Sequence, residues 1–430
     1  MHDPATPATH TGAPGRRVCL IFWEGYLGVA PSLFTAIKVF VREGHEVHVV
    51  TRLAEPEYPD TGELPGCVEV EACLPVSRRI ARLGVPGNLP DLEDRRRLEP
   101  ATNPVLRTLR RAWQGLLLAA DFVQFLAFAR RRCARQRPTA VVGVDPLGLV
   151  VADLARSKGS LLLYWSLELF FLDRLRHPVL RLLKRAERTC SRCARLTVVQ
   201  DARRAESLVA ENRLDPRHIA IVPNAPLGPG PAQRGRLFHE RFGLPPSSRV
   251  VLHLGMIGDE VLSRELATAA SRWRDGTHLV FHERVRRSPE EPLLKELVAL
   301  GGGNVHLSLE PVPLDQLDGV VASADAGVAL YRADLGPNFA LMASASGKLA
   351  YYLRCGLPVV CLDLPGMREI AEGFDCGICV DVPERIGDAL ETIWARYDEL
   401  SRNAVRCYLE RYEASRFFPP ILAALGQGEE

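Results

Sequence analysis

The segment SASGKLAYYLRCGLPVVCLD, Ser344 to Asp363, reads as a short helix ending at a glycine and followed by a buried strand. Lys348 falls in the first turn of that helix. A helix N-terminus carries about half a positive charge, so a cation there is unfavourable by about 0.3–1 kcal/mol unless an anion lies between them. Lysine is also scarce: Lys38, Lys158, Lys184, Lys295 and Lys348 are all the chain has. Ser344 or Ser346 supplies an N-cap, Leu349, Tyr352 and Leu353 give an i, i+3, i+4 buried face, and Gly356 is placed to end the helix. Free backbone N–H groups, an approachable Gly347 and an ammonium make a phosphate site. The competing reading pairs Lys348 with a carboxylate such as Glu369 and gives it no ligand.

Other residues bear on the same chemistry. The loop WEGYLGVAPS holds Gly25 and Gly28 just before a helix start; it is a tight turn or a place where a ligand meets backbone, and it is not a G-x-G-x-x-G loop. Arg264, near the start of a helix in the second half, reaches a phosphate or is simply solvated. Glu168, in YWSLELFF, follows a buried strand beside Trp165, where a carboxylate accepts a proton or holds sugar hydroxyls; a helix N-terminal position is the alternative. Asp145 in GVDPLG is expected to cap the helix after it. The C-x-x-C pairs Cys190/Cys193 and Cys376/Cys379 lie too far apart for the ~15–20-residue spacing of a zinc ribbon. His282, followed by Glu283, has no second histidine at ligand spacing, so no metal site is expected. G-x-x-x-x-G-K-[ST], G-x-S-x-G and H-E-x-x-H are absent from the sequence.

Positioning these residues requires a framework, and the hydrophobic pattern supplies one. RVCLIFW, EVHVVT, TAVVGV, SLLLYW and RLTVVQ are continuous apolar runs separated by helical stripes, as in a parallel sheet covered on both faces. IAIVPNAPLGPGPAQRG, Ile219 to Gly235, is rich in Pro and Gly and reads as a linker. The alternation then restarts with RVVLHLG, THLVFH, NVHLS, DAGVALY, LPVVCL and GICV. At 430 residues two domains are expected. The fold class is therefore α/β, with two Rossmann-like domains whose parallel sheets face a central cleft, where ligands of such sheets bind. The expected boundaries are a structureless lead-in over 1–15, a first domain over 16–220, a second over 221–400, and a C-terminal helix over 401–430 returning to the first.

Composition narrows the partners. A net charge of +2 and a mean hydropathy of −0.01 describe a soluble globular chain and give no case for nucleic acid. Arginine nevertheless far outnumbers acid from Val76 to Arg137, a region that suits an anionic membrane surface as well as plain solvation. The run GLLLAADFVQFLAFA, Gly115 to Ala129, is short for a span and is interrupted by Asp121 and Gln124. Eleven scattered cysteines suit a reducing compartment. A cytoplasmic protein is expected, peripheral at the inner membrane face if the basic region meets lipid.

Three stretches carry a resemblance. VVQDARRAESLVAENRLDPRHIAIVPNAP, VVLHLGMIGDEVLSRELATAA and above all DAGVALYRADLGPNFALMASASGKLAYYLRCGLPVVCLDLPGMREIAEGFDCGICVD are similar to the domain junction, first donor-domain unit and donor-binding core of the B-fold glycosyltransferases. The large, mostly retaining family of bacterial polysaccharide and natural-product enzymes is the one resembled. The resemblance implies transfer of a sugar from a nucleotide diphosphate sugar to an acceptor hydroxyl of a small molecule, saccharide or lipid-linked glycan, with retention, without metal and with no cofactor beyond the donor substrate. It implies catalytic roles for Glu168, Lys348 and Arg264. It places Gly25, Gly28, Gly255, Arg264, Asn338, Ser346, Gly347, Lys348 and Tyr351 around the donor. The sequence departs from the family in three respects: Met256 stands where many relatives carry an Arg/Lys pair after the glycine, the glutamate that holds ribose hydroxyls falls on Tyr351 and its upstream partner near Ala343, and WSLE replaces the histidine often found after the corresponding first-domain strand. A non-catalytic relative and a sugar-nucleotide epimerase on the same fold are the alternatives.

Overall fold

The computed structural model describes residues 15–83, 89 and 104–426. Nearly all of the expected lead-in, and part of the basic region, lie outside the described residues. The first sheet contains β1 (Arg17–Phe22), β2 (Glu46–Arg52), β3 (Glu69–Cys73), β4 (Ala140–Val144), β5 (Leu161–Trp165), β6 (Leu196–Val199) and β7 (Ile219–Ile221). All its pairings are parallel, in the order β3-β2-β1-β4-β5-β6-β7. The second sheet holds β8 (Arg249–Leu254), β9 (Thr277–His282), β10 (Val305–Ser308), β11 (Ala326–Ala329), β12 (Val359–Leu362) and β13 (Gly377–Val380), in the order β10-β9-β8-β11-β12-β13, again parallel throughout. Strand order reverses at β1/β4 and at β8/β11, and the loops after those strands are where a doubly wound sheet opens a crevice.

The central strands form because both faces are covered. β1, β2 and β4 are buried along almost their whole length, with Leu20, Phe22 and Val49 in a core shared with Leu33, Ile37 and Phe40 of the helix Pro31–Arg42. The opposite face packs Cys19, Ile21 and Val141 on Phe125 and Ala129 of the long helix Pro104–Gln136. β3 was not anticipated: it is an exposed edge strand, EVEAC, whose side chains lack the apolar run of its neighbours. β7 is the start of the segment read as a linker; three residues are too few to show a period, and pairing with β6 alone defines it.

The return to the first domain also differs from expectation. Helix Tyr397–Arg411 stays with the second domain, where Cys407 and Tyr408 pack with Leu349 and Leu353. Tyr408 Oη donates to the carbonyls of Pro226 (2.8 Å) and Gly228 (2.9 Å). The chain crosses only after Tyr412. Phe418, Ile421 and Leu425 then enter the first core, with the Phe418 ring against Phe40 and Trp165. The amphipathic pattern is the same on either side of this crossing, so it could not locate it.

Candidate active site

Helix Gly347–Arg354 carries the cation. Ser346 is its N-cap, accepting from Leu349 N, and Ser346 Oγ also meets Tyr331 Oη at 2.5 Å. Gly356 closes the other end at φ +69°, with Leu357 N donating to Tyr352 O. Tyr352 fixes the helix to the sheet: its hydroxyl accepts from Leu254 N (2.7 Å) and donates to Leu252 O (2.9 Å). The first turn therefore faces the loop after β8 at the second sheet's reversal point.

Lys348 lines the cleft between the domains, a cavity of about 260 Å³. Its ammonium lies 5.2 Å above the Tyr331 ring, and among the described residues no carboxylate lies within 4 Å of it. Glu369, the carboxylate considered as its partner, pairs with Arg203 instead. Burial pushes the Lys348 ammonium down to about 7; the cation of Arg284 acts in the same direction and Glu283 opposes both. Arg284, at the carboxyl end of β9, lines the cleft too. A capped helix N-terminus and two cations thus face one space.

The surrounding loops are held by their own carboxylates. Glu283 is buried and accepts from Ile257 N (3.1 Å) and Arg284 N (2.8 Å), which fixes the glycine loop after β8. Gly255 in that loop has φ +91° and opens on the cleft. His282 is pushed down to about 4 by burial and by Arg241, and its Nδ1 bonds Ser308 Oγ on the neighbouring strand (2.9 Å). No group of three or more metal-ligating side chains occurs among the described residues.

Across the cleft stands the end of the first sheet. Glu168 lines the cavity in the turn after β5; the next helix begins only at Pro178, so Glu168 does not open a helix. Asp145 does not cap its helix. Its carboxylate turns to the neighbouring strand and accepts from Leu167 N (2.8 Å) and Glu168 N (3.0 Å), holding the Glu168 turn in place. Burial, reinforced by Glu168 and Glu24, raises the Asp145 carboxyl well above the usual range, against the two N–H bonds. Glu24 follows β1. Enclosure by protein raises its carboxyl; Arg52 opposes the rise and Glu168 adds to it, although water still reaches the side chain along the crevice. The reversal point of the first sheet is therefore acidic, and that of the second is cationic.

Several expected residues have other roles. Arg264 does not line the cavity: its guanidinium is held by Asp259 and by Glu296 (3.0 Å) on the outer face of its helix, and Arg284 stands at the cleft. Asn338 lines the cavity, but its amide clasps the first domain, accepting from Leu169 N (2.7 Å) and donating to Leu169 O (3.0 Å). Gly347 lies at the cleft, yet a Cβ there would meet Pro31 at 3.1 Å, so the missing side chain serves the approach of the two domains. Gly28 lines the cleft beside Tyr26, whose ring occupies the space a Cβ would need. Gly25 is outside the cavity lining; with φ +89° it turns the chain after Glu24, and a Cβ would lie 3.0 Å from Arg52 O. Gly25→Ala is accordingly expected to cost about 1–2 kcal/mol in a denaturant titration, whereas an ordinary surface glycine would show less. Tyr351 lies one turn beyond Lys348 and is buried on the cleft floor with Val312, Leu314 and Leu317.

Arg284 and Tyr26 were missed by sequence reasoning. The available signal was position, because both follow strands adjoining the reversal points, at β9 and β1. A connection also bridges the cleft: in the loop between β2 and β3, Glu57 O accepts from Arg286 N (2.6 Å) and Glu63 N donates to Asp315 (3.1 Å).

Two doubly wound parallel-sheet domains facing a cleft are the architecture of the glycosyltransferase B fold. Solved structures with this architecture match over nearly the whole chain. Sucrose-phosphate synthase from Thermosynechococcus elongatus is 13% identical with a TM-score of 0.64, covering 95% of this chain and 98% of that one. HepE from Anabaena, solved with UDP-glucose, is 13% identical with a TM-score of 0.62, covering 95% and 99%. WaaG, a glycosyltransferase of lipopolysaccharide biosynthesis, is 15% identical with a TM-score of 0.58, covering 96% and 100%. No protein-family model and no curated protein sequence matches the chain.

Proposed function

We propose that the protein is a glycosyltransferase that moves a sugar from a nucleoside diphosphate sugar to an acceptor hydroxyl. The carrying observation is Lys348: an ammonium without an ion-pair partner among the described residues, depressed to about 7, at a capped helix N-terminus beside Arg284. A half-buried cation of this kind, unpaired among the described residues, carries a desolvation cost that a ligand's charge offsets, and a diphosphate supplies that charge. As the glycosidic C–O bond breaks, negative charge grows on the leaving phosphate. Lys348, Arg284 and the helix amides stabilise that charge more in the transition state than in the ground state, so the protein itself supplies the positive charge such a leaving group needs. Glu168 on the opposite wall orients the acceptor hydroxyl, whose proton passes to the departing phosphate when the configuration is retained. HepE, of the same fold, was solved with UDP and with UDP-glucose, which supports a sugar nucleotide as donor. Retention is the outcome the resemblance favours, and the anomeric coupling of the product decides it; an inverted product would give Glu168 the part of in-line base.

Isothermal titration with uridine, deoxythymidine, guanosine and adenosine diphosphates and their sugars tests the reading, together with nucleotide release on adding acceptors. Failure of every nucleotide to bind folded protein overturns it. Binding also carries a proton signature. Free Lys348 loses its proton near pH 7, whereas beside a diphosphate it keeps the proton to higher pH. Binding above pH 7 therefore takes up protons, approaching about one per nucleotide, and affinity falls by up to roughly tenfold per pH unit as pH rises from 7 toward 9. Heats measured in buffers of different ionisation enthalpy give the uptake directly. A sugar-nucleotide epimerase would change the sugar of the nucleotide without any acceptor, and a non-catalytic relative would bind without turnover.

A further inference from the structure

The helix Pro104–Gln136 is amphipathic in an unusual sense: one face is core and much of the opposite face is apolar as well. Leu118, Phe125, Ala129 and Cys133 are buried against the first sheet. On the solvent side Leu109, Leu116 and Val123 are 60%, 65% and 64% exposed, and Ala112 and Ala119 continue the same stripe between them. With Val105 it runs over about 27 Å at 1.5 Å per residue. Single exposed leucines need no explanation, but a stripe repeating at i, i+3, i+7 does.

Charge says what fits. The helix's arginines gather at its two ends, among them Arg110 and Arg111 at one and Arg130, Arg131 and Arg135 at the other. Its one acid, Asp121, is buried and accepts from Ser77 N (2.9 Å) and Ser77 Oγ (2.5 Å), so it contributes nothing to the exposed face. Arg79 and Arg82, in and just after the neighbouring short helix, add to the same sign, and Leu83 beside them is 81% exposed. At the C-terminal end Glu71 pairs with Arg132 (3.0 Å) and Arg135 (3.6 Å), but among the described residues the exposed stripe itself carries no acid, so a second copy docked on it would bring like charges such as Arg110 and Arg131 together, which disfavours self-pairing. Trp113 borders the stripe, a residue type favoured at the membrane–water boundary. Length and hydropathy alone would let the helix cross a membrane, but its other face is committed to the first core, so it lies along the surface.

We infer that the exposed face of helix Pro104–Gln136 docks the protein on an anionic lipid bilayer, with the apolar stripe in the headgroup boundary and the terminal arginines on lipid phosphates. The inference stands independently of sugar transfer. Flotation of the full chain with vesicles of phosphatidylcholine, alone or mixed with phosphatidylglycerol, tests it. The protein is expected to float with the mixed vesicles, to be released by salt, and to remain free with phosphatidylcholine alone. The double variant Leu116→Glu/Val123→Glu is expected to lower partition on the order of tenfold or more. Arg110→Glu/Arg131→Glu, which alters only exposed side chains, is expected to weaken binding to the mixed vesicles too. Circular dichroism establishes that each variant is folded. Absence of binding by the parent chain, or undiminished binding by both variants, overturns the proposal. So does a dimer in sedimentation that the glutamates dissociate, which would assign the stripe to a second copy.

Discussion

Lys348→Met is expected to lower sugar transfer by about a hundredfold to a thousandfold while raising the melting temperature. The loss follows from removing one pre-positioned positive charge from the developing phosphate charge, a change of about 3–4 kcal/mol in the barrier. The stability gain follows from the same position. In the free protein burial depresses the ammonium to about 7, so above that pH the unfolded chain binds more protons than the folded one. Stability contributed by this group therefore rises with pH from about 7 to about 10.5, and methionine removes both the penalty and the slope. Because Lys348 is only partly shielded from solvent by area, a gain of about 1–2 kcal/mol is expected rather than the full shift. Single-turnover rates with saturating donor and a thermal melt in parallel read the two effects. A variant that keeps its rate, or that loses stability as well as rate, would show that residue 348 serves the fold and not the leaving group.

Arg204→Leu is expected to be the most destabilising single change near the cleft, by about 3–5 kcal/mol. Arg204 is almost wholly buried and reaches across the domain junction: its guanidinium donates to Leu167 O, to Leu341 O (3.3 Å) and to Asn338 Oδ1 (3.3 Å). Burial lowers its pKa, while the charges of Glu168, Asp201 and Asp145 hold its proton on. Leucine would leave two carbonyls without this donor and the acidic end of the first sheet without its buried cation, so the Asn338–Leu169 clasp loosens and donor affinity falls with stability. Its neighbour provides the contrast. Arg203 also spans the junction, to Glu369, but both side chains are solvated, and Arg203→Leu should change stability by no more than about 1 kcal/mol. Urea titrations of the two variants separate the cases; equal effects would mean that burial is not what makes Arg204 matter.

These expectations rest partly on what the sequence revealed and partly on what it did not. Strands with both faces covered announced themselves as apolar runs, and two such series separated by a Pro/Gly-rich stretch were enough for two parallel sheets and a cleft. Helix 347–354 was legible to within a turn, with its cap left between Ser344 and Ser346, because its cap, its buried face and its terminating glycine are local matters set by backbone geometry. The position of Lys348 in the first turn followed from those local signals alone. β3 and β7 were not legible, since a half-exposed edge and a three-residue strand are defined by the strands beside them.

What lay between elements belonged to the tertiary structure. Arginine and acid are so numerous, 54 basic against 52 acidic residues, that composition cannot pair them. Arg264 met Asp259 and Glu296 on an outer surface, and Arg284, which the sequence did not single out, reached the cleft. Asp145 was adjacent to its helix in sequence, but the parallel strand beside it offered two N–H groups in better reach. Asn338 and Gly347 were chosen for a ligand and turned out also to touch the other domain. The sequence by itself determined the repeating units and the charge placed at one helix end, because propensity, capping and burial pattern act over a few residues. Only the packing of one sheet against the other decided how deeply that charge is buried and what faces it, because those depend on groups brought together from hundreds of residues apart.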